Sequence, residues 1–127
     1  QNMSHPAHKL HTDQTHYLKK YVTYSDAGIV AGTLEIGTLP KNAFVVRTYA
    51  KMAVAGTAAL TIGTGSGTAT SIATGGDINE TVTTMQSITG VGVLSSTVDY
   101  PVFVKWAQDT AGAAYLVVEY IPFPPNS

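Results

Sequence analysis

A chain of 127 residues has the length of one domain, enough for a modest core and small enough to gain from association. Only 12% of its residues are charged, against roughly 25% in a typical soluble domain, and the net charge of −1 gives no global attraction to nucleic acid or an anionic membrane. Cysteine is absent, which excludes disulfide frameworks and thiolate metal sites, and no apolar run approaches the roughly 20 residues of a membrane-spanning helix.

Residues 1–16, "QNMSHPAHKLHTDQTH", show neither a helical nor a strand period and contain Pro6, so they read as an extended N-terminal arm ahead of a domain at 17–127. All four histidines, His5, His8, His11 and His16, lie in this arm. Residues 1–20 carry +2, and residues 21–127 carry −3.

From Tyr17 the texture becomes β-like, rich in Thr and Val and punctuated by Gly. "YLKKYVTY" (17–24) is the first expected strand, "SDAG" a turn, and "IVAGTLEIGTL" (29–39) the second strand, with Leu34 and Ile36 on one face and Glu35 on the other. After the turn "PKN" comes the clearest strand, "AFVVRTYAKMAV" (43–54). Its alternation places Phe44, Val46, Thr48, Ala50, Met52 and Val54 on one face and Arg47, Tyr49 and Lys51 on the other. "ALTIGT" (59–64) is a short strand, and "INETVTTMQSI" (78–88) is a strand with one place for a helical turn. "VGVLSSTV" (91–98), "YPVFVKWAQD" (100–109) and "AYLVVEYIPF" (114–123) follow, the last closed by Pro122, Pro124 and Pro125. About eight strands between Gly, Pro and Asp turns predict an all-β, jelly-roll-like β-sandwich.

The spacing His5-x-x-His8-x-x-His11 invites a metal reading. Zinc, however, requires three or four convergent ligands held by second-shell partners, and an arm interrupted by Pro6 offers no such frame. A nucleic-acid tail needs more cations than Lys9, Lys19 and Lys20 provide. A polar arm that contacts a protein partner is the reading that remains. With the first strand's Lys19, Lys20 and Tyr21, and the Arg47, Tyr49 and Lys51 face, the four histidines form the candidate partner-binding set.

The alternating Gly63, Gly65 and Gly67 lack the following helix and the lysine of a phosphate-binding loop. "GGDINE" (75–80) lacks the twelve-residue calcium pattern and reads as a turn. With no histidine or cysteine after residue 20, Ser-His and Cys-His acyl-transfer chemistry has no base or thiol in the domain. The expectation is a protein without catalytic residues or cofactor.

Three segments, "GTLEIGTLPKNAFVVRTYAKMAVA", "LTIGTGSGTATSIATGGDI" and "YPVFVKWAQDTAGAAYLVVEYI", together resemble the small head-decoration (cement) proteins of tailed bacteriophages. The likeness covers about residues 29–121 and rests on core strands and turns. It implies a β-sandwich or jelly roll on the outer surface of an icosahedral head, made in the host cytoplasm. Such proteins sit at local symmetry axes as trimers or dimers and bridge major capsid protein subunits, with the trimer preferred. The His-rich arm departs from the pattern; it is expected to lie in a groove on the major capsid protein or a sister subunit. A rival reading is a receptor- or glycan-binding module of a head fibre or tail spike. Trp106 separates the two, since sugar stacking requires it exposed, whereas its alternation with Val102 and Val104 favours the core.

Overall fold

A computed structural model describes residues 15–65, 67, 69–93 and 98–123. Seven strands and one short helix follow in the order β1 (His16–Thr23), α1 (Ala27–Ala31), β2 (Leu34–Leu39), β3 (Phe44–Val54), β4 (Leu60–Gly63), β5 (Gln86–Val93), β6 (Tyr100–Trp106) and β7 (Ala113–Ile121). They form a four-stranded sheet, β1-β7-β3-β5, and a three-stranded sheet, β2-β6-β4. Every pairing is antiparallel.

Consecutive strands cross from one sheet to the other throughout, including between β4 and β5. There an isolated bridge between Ile62 and Ala73 supplies a remnant eighth strand beside β4. This alternation is jelly-roll connectivity, so the expected all-β sandwich is the observed fold. Leu39, Met52, Leu60, Ile62, Val104 and Leu116 are fully buried between the sheets. Each burial of this size stabilises the fold by about 1.5–3 kcal/mol.

Differences from the expected elements have local causes. Residues 29–31, expected to begin a strand, belong to α1. Asp26 accepts hydrogen bonds from the Thr23 amide and hydroxyl, both at 2.9 Å, and turns the chain before the helix. Where strands are expected at 78–88 and 91–98, the described residues form one strand, β5, and 94–97 lie outside the described residues. Ahead of β5, Asn79 Oδ1 accepts from the Thr81 amide and hydroxyl, while Gln86 both donates to and accepts from the Asn79 backbone. These short-range bonds replace ladder pairing.

The expected inward face of β3 holds for Thr48, Ala50 and Met52, which are buried, but not at the strand's ends. Register shifts lie between Val45 and Arg47 and between Met52 and Val54. A bulge reverses the alternation, so Val45 is buried in place of Val46, and Phe44 and Val54 are exposed. Gly90 faces the first bulge: a Cβ there would lie 2.2 Å from the Val45 carbonyl oxygen, so only glycine fits.

Trp106 is 3% exposed. Its indole N–H donates to Asp109 Oδ2 at 3.2 Å, and the same carboxylate accepts from the amides of Thr57, Ala58 and Thr110 at 2.9, 2.9 and 2.8 Å. Gly112 (φ 141°) closes over the ring, where a Cβ would come within 2.4 Å of Trp106 Cζ2.

Candidate interaction face

Alternation along β1, β3 and β7 sends every second side chain away from the core. The inward set includes Val22, Thr48, Ala50, Leu116 and Val118, so the outward set on these strands is Tyr17, Lys19, Tyr21, Arg47, Tyr49, Lys51, Tyr115, Val117 and Glu119. Register aligns these residues into three rows across the sheet. One row runs Tyr17, Glu119, Arg47, Thr89; the next runs Lys19, Val117, Tyr49, Ser87; the third runs Tyr21, Tyr115, Lys51.

The face is aromatic and basic. Tyr17, Tyr21 and Tyr115 are 55%, 47% and 55% exposed, and the rings of Tyr21 and Tyr115 lie 4.7 Å apart. Lys19, Arg47 and Lys51 are opposed by one carboxylate in the rows, Glu119. Glu119 accepts a hydrogen bond from the Tyr49 hydroxyl at 3.2 Å. Desolvation first, and the Glu119 charge and hydrogen bond second, hold the Tyr49 hydroxyl above its ordinary pKa of 10.0. Arg47 Nη1 donates to Ser87 Oγ at 2.9 Å, and Lys51 Nζ donates to the Thr83 carbonyl. Both cations are thereby held over the sheet.

The outer face of the three-stranded sheet differs. Thr61 is buried, and Gly63 is pressed so closely by residues 69–71 that a Cβ would lie 2.4 Å from the Ser71 amide nitrogen. Lys105 beside them donates to the Gly67 carbonyl at 3.1 Å.

Five residues of the partner-binding set, Lys19, Tyr21, Arg47, Tyr49 and Lys51, thus share one face although β7 separates their strands. Lys20 does not join them. It alternates to the other side of β1, with Leu18 and Val22, and is exposed along that edge strand. His16 belongs to β1 rather than to the arm; its ring stacks on Tyr120 at 5.7 Å, with Nε2 buried and without a hydrogen-bond partner among the described residues. His5, His8 and His11 lie outside the described residues. Tyr17, Tyr115 and Glu119 were not in the expected set. The alternation of "YLVVE" signals an outward Tyr115 and Glu119, but only strand order reveals that β7 joins the other two strands.

The remaining candidates have structural partners. Asp77 Oδ2 accepts from the Thr74 amide at 2.8 Å, and Glu80 Oε2 accepts from the Leu60 amide at 3.0 Å, so "GGDINE" forms a turn. Among the described residues, no group of three or more His, Cys, Asp or Glu could hold a metal ion, and no helix is long and apolar enough to cross a membrane. Backbone donors, with Ala58 the largest contributor, hold the Asp109 carboxyl well below the ordinary carboxylate range, against a smaller opposing effect of desolvation.

No protein-family model and no curated protein matches this chain. Solved structures do. A chain of the cyanophage Pam1 capsid asymmetric unit matches with a TM-score of 0.54 at 16% identity, covering 87% of each chain. A chain of the acid-stable capsid of Helicobacter pylori bacteriophage KHP30 matches with a TM-score of 0.53 at 13% identity, over 85% of this chain and 87% of that one. The chain has a fold found in phage capsids. That likeness covers most of the chain, whereas the identity is too low to carry any residue's role across.

Proposed function

We propose that this protein is a structural component of a phage virion. It binds the outer surface of the capsid and stabilises it by bridging major capsid protein subunits. The observation that carries this reading is the open outer face of the four-stranded sheet, where Tyr17, Tyr21 and Tyr115 stand beside Lys19, Arg47 and Lys51. Tyrosine supplies contact area at little entropic cost, and the cations favour an acidic patch on the capsid. The fold shared with chains of two phage capsids supports the virion setting. In this reading the protein is made in the host cytoplasm, works as a homo-oligomer (a trimer or a dimer), and performs no catalysis. The N-terminal arm acts as a tether to the major capsid protein or to a sister subunit.

Against the rival receptor- or glycan-binding module stands the burial of Trp106, which leaves that ring unavailable for sugar stacking.

Co-sedimentation with decoration-free phage heads tests the proposal. Saturable binding at a fixed ratio to the major capsid protein, weakening as salt rises, is the expected result. Heads that pellet without the protein at every salt concentration, beside glycans or host cells that retain it, would transfer the function to the rival class.

A further inference from the structure

We infer that β5 is a dimerisation edge, pairing antiparallel with the β5 of a second copy of this chain. Among the described residues β5 pairs only with β3, so one row of its backbone donors and acceptors faces away from the sheet. Natural edge strands are usually guarded by charge, proline or a covering segment, because an open edge recruits another strand. The other edges have such devices. β1 carries Lys19 and Lys20, β2 carries Glu35, and β4 has the bridge to Ala73. β5, "QSITGVGV", has no charged residue, no proline and no covering segment among the described residues; its one irregularity is a bulge that sets Gly90 and Val91 opposite Val46, and its Val91 and Val93 are 44% and 53% exposed.

Charge identifies the second copy as occupant. Pairing β1 with its own copy would set lysines against lysines within about 5 Å, a destabilising arrangement. β5 against itself opposes only neutral side chains. The nearest cations of that sheet, Arg47 and Lys51, lie on β3. Arg47 reaches across to Ser87 on β5, but with a two-fold axis at Gly90 the two copies' Ser87 residues lie six strand positions apart, about 20 Å, beyond the screening length of about 8 Å at physiological salt. A two-fold axis at Gly90 puts Thr89 opposite the second copy's Val91 and Ser87 opposite its Val93. These contacts cover the exposed valines, Val91 by the β-branched Thr89 and Val93 by Ser87. The product is an eight-stranded sheet with two tyrosine-and-cation faces side by side. It selects the dimer from the two oligomers proposed above, and it stands whether or not the protein binds capsids.

Light scattering on the full chain at micromolar concentration tests it. The expected mass is twice that of the chain, falling to the single-chain mass in Val91→Lys with an unchanged dichroism spectrum. Because the chain has no cysteine, a Thr89→Cys/Val91→Cys variant gives a second test and is expected to form a disulfide-linked dimer under mild oxidant. A monomer throughout, a trimer, or a dimer that survives Val91→Lys would overturn the inference. So would a monomer whose head binding is lost in Val91→Lys, since β5 would then accept a capsid strand instead. If Val91→Lys fails to fold, the cysteine pair decides: absence of cross-linking overturns the inference. Loss of head binding by an intact dimer would count against the capsid role alone.

Discussion

Two regions of the molecule set an aromatic donor against a carboxylate and use the pair to opposite ends. At the corner after β6, Asp109 receives the Trp106 indole and three backbone amides, and the ring is sealed beneath Gly112. On the four-stranded sheet, Glu119 receives the Tyr49 hydroxyl, and the flanking Tyr17, Tyr21 and Tyr115 stand half in solvent. Polar groups that find all their partners inside the domain stabilise it, and a side chain left half exposed retains surface to bury against another molecule.

The largest expected effect lies at the corner. Asp109→Ala strands the Trp106 indole and the Ala58 amide, and is expected to destabilise the fold by about 3 kcal/mol in denaturant unfolding. Because the folded-state pKa of Asp109 is depressed below 3.8, its contribution is complete above that pH and is lost as the pH falls further. The stability gap between wild type and Asp109→Asn should therefore be constant above about pH 5 and shrink below about pH 4. A gap independent of pH down to strong acid would remove the charge from the explanation.

On the open face the direction reverses. Tyr115→Ala removes a side chain that touches solvent and Tyr21, so unfolding should change by less than about 1 kcal/mol. Head affinity, measured by co-sedimentation, should fall about tenfold to thirtyfold. A Tyr115→Ala protein that unfolds easily and binds normally would dissolve the contrast between the two regions.

The parts of this architecture legible in the sequence were those set by short-range alternation. "YPVFVKW" announces buried Val102, Val104 and Trp106, and "RTYAK" announces outward Arg47, Tyr49 and Lys51. The β3 bulges were not legible, because they depend on partners in β5 and β7 that are distant in sequence. For the same reason the face could be assembled only in part. Period two assigns a side to each residue, but placing β7 between β1 and β3 requires the jelly-roll connections.

Removing residues 1–14 sharpens the comparison further, since β1 begins at His16 and loses nothing. Thermal stability should be unchanged, while head affinity falls about fivefold, equivalent to about 1 kcal/mol. Equal affinity for the two forms would remove the tether from the account. The smallest effect belongs to Glu119→Gln. With the charge gone, the Tyr49 hydroxyl should titrate closer to its ordinary pKa of 10.0, a shift readable by ultraviolet difference spectroscopy. No shift would mean that desolvation alone holds it.

Electron microscopy of decoration-free heads after incubation with the protein tests the central claim most directly. The account predicts added density on the outer surface, oriented so that Tyr17, Tyr21 and Tyr115 of the four-stranded sheet meet the capsid. Bound protein with that face turned to solvent, or heads left bare at saturating concentration, would contradict it.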